Sequence, residues 1–144
     1  MSIGKITSVS VTGPSTLNLQ WDDGRRGQIN LSAIIAAYPA LGNLASADVF
    51  ASAAISPDGW SIEWPGGLDF GSPQLRRWAD EQAGETMPGA VFRQWVKAHH
   101  MTLDAAAAAL GLSRRTIVYY LSGEQPVLKT VMLATVGYER VMAA

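Results

Sequence analysis

Residues 102–123, TLDAAAAALGLSRRTIVYYLSG, decide how the second half of this chain folds. The five alanines at 105–109 have high helix propensity and almost no side-chain bulk. Thr102 caps a helix that runs to about Leu110, and Gly111 fits the left-handed position a tight turn requires. Ser113 caps the next helix, over 116–121, with Arg114 and Arg115 in its first turn and Gly123 at its end. Two short helices joined by so sharp a turn form a helix-turn-helix, the arrangement in which a second helix is offered to a duplex.

The alanines let the second helix cross the first closely. Leu112 and Ile117 plug the core, followed one turn later by Tyr120 or Leu121. That orientation turns Ser113, Arg114, Arg115, Val118, Tyr119 and Ser122 outward. An arginine bidentate to guanine contributes roughly 1–3 kcal/mol of discrimination, and an exposed valine suits a thymine methyl. Thr116, Tyr119 and Ser122 carry hydroxyls for phosphates, and Lys129 adds a backbone contact. Double-stranded DNA is therefore the expected partner. The sequence does not separate Arg114 from Arg115 as the base reader.

Working outward, Gly84, Pro88 and Gly89 punctuate a polar stretch and mark a domain boundary. Beyond it the apolar period is helical: Val91, Phe92, Trp95 and Val96 form a stripe ending near His100. A last helix starts over 126–136, and Gly137-Tyr138 interrupts or ends it, leaving 139–144 as a tail. Residues 84–144 thus read as an all-α repressor-like helix-turn-helix domain of four or five short helices.

Residues 1–83 read as a small, mostly antiparallel α+β domain, so the whole chain is a two-domain α+β protein. Strands are expected over Ile6–Val11, 17–21 and 26–31, with turns at 12–15 and at Asp23-Gly24. A short helix follows from Leu31-Ser32, with Ile34, Ile35 and Tyr38 on its apolar face and Pro39 ending it. Residues 48–55 fit helix or strand equally. Asp58-Gly59 is a turn, Trp60, Ile62 and Trp64 alternate along a strand, and Pro65-Gly66-Gly67 stops it. Ser72-Pro73 is the chemistry of a helix start, with Leu75 and Trp78 facing the sheet.

Net charge is -1 over 144 residues, which by itself does not favour a polyanionic partner. The halves differ. The first 83 residues hold five Lys/Arg against eight Asp/Glu, and the remaining 61 hold six against four. Few cations mean few phosphate contacts for a monomer, and affinity depends steeply on their number. A homodimer on a palindromic site would double them, through the last helix at 131–141 or through the first domain. There is no cysteine, which excludes disulfides and thiolate metal ligands, and no 18-residue apolar run or secretory signal. A cytoplasmic location without membrane contact is expected.

Chemistry elsewhere is thin. Asp22-Asp23-Gly24 and Pro57-Asp58-Gly59 are turn sequences in which aspartate bonds its own backbone, and no histidine or second acid sits at useful spacing from Asp69. His99 and His100 point about 100° apart on a helix and suit C-terminal capping rather than a metal site. No glycine-rich loop carries a phosphate-binding lysine. Trp21, Trp60 and Trp64 read as sheet core rather than a stacking platform. No cofactor, no metal and no enzymatic activity are expected.

Two resemblances add to this reading. LGLSRRTIVYYLSG within about 90–136 resembles the helix-turn-helix of phage Cro/C1 repressors and the XRE family. The resemblance implies that the helix beginning at Ser113 enters the major groove, with roles for Arg114, Arg115 and Tyr119. Where that family carries a phosphate-contacting glutamine in the supporting helix, this chain has Leu103 or Asp104. LNLQWDDGRRGQINLSAII and ISPDGWSIEWPGGLDFGSPQL, within about 5–82, resemble the bacterial DUF2442 family, which implies a fold but no activity. The combined expectation is a bacterial, dimeric, sequence-specific transcriptional regulator. The alternative is a protein-interaction module, such as an antitoxin or adaptor, with little or no DNA contact; small-molecule sensing by the first domain is a third.

Overall fold

The computed structural model describes residues 4–143. The chain divides between Ala83 and Gly84 into two compact units, each with its own buried core.

The first unit is α+β and its sheets are antiparallel. Strands β1 (Ile6–Val11), β2 (Thr16–Trp21) and β3 (Arg26–Asn30) form a meander in the order β1-β2-β3. Alternation along β2 sends Leu17, Leu19 and Trp21 inward, where each is almost fully buried, and leaves Thr16, Asn18 and Gln20 on the other face. A second meander consists of β4 (Ala54–Ile55), β5 (Ser61–Glu63) and β6 (Asp69–Gly71). Helix α3 (Ser72–Gln82) closes over β3. The approach is close enough that a Cβ on Gly27 would lie 2.8 Å from Ala79 Cβ, so β3 admits no side chain there.

Several expectations for this unit need correction. Helix α1 (Ser32–Ala37) buries Ile35, but Tyr38 is extended at φ -124° and 60% exposed, because the proline after it disfavours helical backbone. A 3-10 helix over Pro39–Ala45 follows where the sequence suggested only a stop. The ambiguous 48–55 region is both things in turn, helix α2 (Ala47–Phe50) and then β4. Trp60 lies outside β5 and is 42% exposed, with Lys5 Nζ 5.9 Å above its ring, whereas Trp21 and Trp64 are buried. Ser72 is not the cap of α3. Gly71 holds that position, and the buried Ser72 hydroxyl accepts from Trp21 Nε1 at 3.0 Å and donates to the Gly4 carbonyl at 2.7 Å.

The second unit is helical but not all-helical. Strands β7 (Thr86–Met87) and β8 (Val127–Leu128) pair antiparallel and tie its start to a segment some 40 residues on. Two-residue strands carry no readable alternation, and only the tertiary fold brings them together. Four helices make up the rest: α4 (Gly89–Ala98), α5 (Leu103–Leu110), α6 (Arg114–Ser122) and α7 (Lys129–Ala143). Gly137-Tyr138 neither ends nor interrupts α7, which begins at Lys129 and runs on for 15 residues. Phe92, Trp95, Val96, Ala106, Ala107, Ile117 and Tyr120 form the core, with Leu112 and Leu121 packed against it. Val91, expected in the apolar stripe, is 49% exposed.

The histidines close α4 differently from a side-chain cap. His100 takes φ +52°, and the amides of His100 and Met101 donate to the carbonyls of Lys97 and Val96. That is a Schellman ending made by backbone alone. The His99 ring instead lies 4.8 Å from the Trp95 ring and places Nε2 3.2 Å from Glu139 Oε1 on α7.

Candidate nucleic-acid interface

Helices α5 and α6 are joined by Gly111, Leu112 and Ser113, and each end of the joint is fixed by a local interaction. Gly111 sits at φ +68° and ψ +33°, and the Leu112 amide reaches back to the Ala107 carbonyl at 2.9 Å. A residue with Cβ is strained at that φ. Ser113 then caps α6, its Oγ accepting the Thr116 amide at 3.1 Å. Thr102 caps α5 in the same way through the Ala105 amide. Both caps satisfy amides that the helix itself leaves unpaired.

Burial divides α6 into two faces. Ile117 (0% exposed) and Tyr120 (4%) point into the core, where Tyr120 meets Phe92 edge-on at 5.5 Å. Against them, Ala106 and Ala107 of α5 supply buried surface without bulk, which lets the two helices approach. The opposite face of α6 carries exposed Arg114, Arg115, Val118 and Ser122 with half-buried Tyr119. Ser113 and Lys129 are exposed as well, and Thr116 is half-buried.

The hydroxyls expected at phosphates are largely occupied. Thr116 Oγ1 lies 2.9 Å from Ser113 Oγ, and Ser122 Oγ donates to the Tyr119 carbonyl and accepts the Glu124 amide. These groups hold the ends of α6. The supporting helix brings no replacement: Leu103 packs against the core, and Asp104 is an exposed carboxylate.

Two contacts were not anticipated from the sequence. Arg115 Nε donates to Tyr119 Oη at 2.7 Å, and its guanidinium lies 5.3 Å from the centre of the tyrosine ring. Their separation of four residues, one helical turn, was the signal for it. Arg114 has a looser neighbour, its Nη1 lying 3.7 Å from Asp104 Oδ1 with both side chains mostly exposed. That contact crosses between helices, so no sequence period announces it.

The unit has a second surface feature. An apolar groove of about 450 Å³ lies along α4, lined by Val91, Trp95 and Ala98 and by Glu139 of α7. On α7 itself Leu133, Val136, Val141 and Met142 are each more than half exposed. Among the described residues no cluster of three metal-ligating side chains occurs, and no helix is long and apolar enough to cross a membrane. Two of the aspartates singled out in turns hold those turns: Asp23 accepts the Arg25 amide, and Asp58 accepts the Trp60 amide and the Ser56 hydroxyl.

Residues 6–81 match the family described as "Protein of unknown function (DUF2442)". The chain belongs to the DUF2442 family. Among solved structures, this DUF2442 chain is similar to one described as a putative DNA binding protein from Nitrosomonas europaea ATCC 19718. The two are 31% identical with a TM-score of 0.58, over 96% of this chain and 90% of that one. No curated protein matches.

Proposed function

We propose that this DUF2442 protein is a sequence-specific double-stranded DNA binder, a bacterial transcriptional regulator that acts as a dimer without enzymatic activity. In this reading α5 and α6 are a repressor-type helix-turn-helix, and α6 enters the major groove. The observation that carries it is the division of α6 into a core face, Ile117 and Tyr120, and an exposed face with two adjacent arginines and a valine. A face that served only solubility would not need its arginines in the first turn, where the helix dipole disfavours cations. The similar Nitrosomonas europaea protein, described as a putative DNA binding protein, supports the same class.

Dimerisation supplies the phosphate contacts that one unit lacks, and the exposed apolar residues of α7 support a subunit contact there. The same residues and the neighbouring groove favour a second reading, in which the helical unit docks a protein partner as an antitoxin or adaptor does. The work of such proteins lies inside the cell, at the chromosome or at a cytoplasmic partner.

Selection of bound duplexes from a random pool, followed by salt titration of the enriched sequence, separates the two. Enrichment with a log K against log salt slope of about -4 or steeper, as for several neutralised phosphates, is expected. An unenriched pool and no salt-dependent binding would sink the DNA reading.

A further inference from the structure

The geometry points to Arg115 as the base-reading arginine of α6, to guanine as what it reads, and to Tyr119 as the residue that positions it. This rests on the DNA-binding reading above. Arg114 and Arg115 are neighbours with the same charge and are both exposed, and their surroundings separate them. A guanidinium presents five N–H donors in a planar fork. Tyr119 Oη takes the Nε–H of Arg115 at 2.7 Å, which leaves the two terminal nitrogens free of any hydrogen bond or ion pair among the described residues. Those nitrogens are the pair that a bidentate contact to guanine O6 and N7 uses.

The tyrosine also fixes where the fork stands. Tyr119 is half-buried, and the guanidinium lies 5.3 Å from the centre of its ring. A long cation normally loses rotamer freedom on binding, and one already docked on an aromatic ring loses less. Arg114 lacks both features. Its 3.7 Å approach to Asp104 is too long for a hydrogen bond and its side chain is 63% exposed, which suits a phosphate rather than a base edge. Tyr119 therefore works through Arg115 and not on the backbone of the duplex.

The test uses the full chain and the duplex that wild type enriches from a random pool, with each G·C pair replaced in turn by A·T. Wild type is expected to lose roughly 10- to 100-fold in affinity at one such position. Arg115→Ala and Tyr119→Ala should bind both duplexes within about threefold of each other, and Tyr119→Phe, which keeps the ring but not the hydroxyl, should fall between. Tyr119→Phe should melt at the wild-type temperature with an unchanged salt slope, a result that loss of structure or of a phosphate contact would not give. The assignment is overturned if both Tyr119 variants keep the wild-type preference, or if Arg114→Ala rather than Arg115→Ala erases it. An unenriched pool overturns it together with the DNA-binding reading, so the two failures are distinguishable.

Discussion

Trp21 and Ser72 stand 51 residues apart and share a buried hydrogen bond of 3.0 Å from indole Nε1 to hydroxyl Oγ. The same hydroxyl donates to the Gly4 carbonyl, so one serine ties the end of β2, the start of α3 and the entry to β1. Replacing it by alanine leaves a buried indole N–H and a carbonyl without partners. Ser72→Ala is therefore expected to destabilise the first unit by about 1–3 kcal/mol. Chemical denaturation followed by tryptophan fluorescence checks this, and an unchanged midpoint would mean that water replaces the serine.

The same corner predicts acid sensitivity. Arg76 donates to Asp23 Oδ2 at 2.9 Å and lies 4.9 Å from the Trp21 ring. Its hydrogen bond, with that of the Arg25 amide, holds the Asp23 carboxyl below its ordinary value of 3.8. A depressed folded-state value means a stabilising contribution fully present above the unfolded value. It is lost as pH falls through the folded one. Stability should thus decline below about pH 4. Asp23→Asn, which cannot ionise, should flatten that part of the profile in melts at stepped pH. A parallel decline in the variant would assign the effect to other carboxylates.

Two glycines in the helical unit should respond to alanine in opposite directions. Gly111 has nothing within 4 Å of a would-be Cβ, so only its left-handed backbone opposes a side chain. Gly111→Ala should cost about 1–2 kcal/mol. Gly137 also has open space around it, but it lies inside α7. Gly137→Ala should stabilise by about 0.8–1 kcal/mol. Melting temperatures of the two variants, moving down and up, check the pair.

On DNA, the Arg114→Ala/Arg115→Ala double variant should lose specific binding while its circular dichroism stays that of wild type. Residual binding to any duplex should show a salt slope shallower by about one, for the phosphate contact of Arg114. Full retention of specific binding would remove α6 from the interface.

Charging the apolar face of α7 tests the dimer. Leu133→Asp/Val136→Asp places carboxylates on side chains that are 58% and 61% exposed, so the fold should tolerate them. Light scattering should report a monomer, and affinity for a palindromic site should fall by roughly 10²-fold with the second half-site lost. A dimer of unchanged mass would move the subunit contact elsewhere.

Local signals determined much of this protein. The alternation Leu17-Leu19-Trp21 fixed the buried face of β2, and Thr102, Gly111 and Ser113 fixed the joint between α5 and α6. Each acts within about one turn or one strand pair, the range over which φ preferences and side-chain period operate. The two faces of α6 were legible for the same reason, since Ile117 and Tyr120 inward set Arg115 and Val118 outward.

Tertiary structure decided whatever depends on partners distant in sequence. Whether Ser72 caps a helix or bridges three elements depends on where Trp21 and Gly4 arrive. The pairing of Thr86–Met87 with Val127–Leu128 needs three helices to fold between them. Trp60 and Trp64 share a sequence pattern, yet one is exposed and the other reaches the Phe50 carbonyl in the core. Period alone cannot show where a strand begins or what covers it. The difference between Arg114 and Arg115 arose likewise, one meeting a carboxylate across helices and the other a tyrosine on its own. Sequence determined that two cations stand on this helix face, and only the packed structure gave them different neighbours.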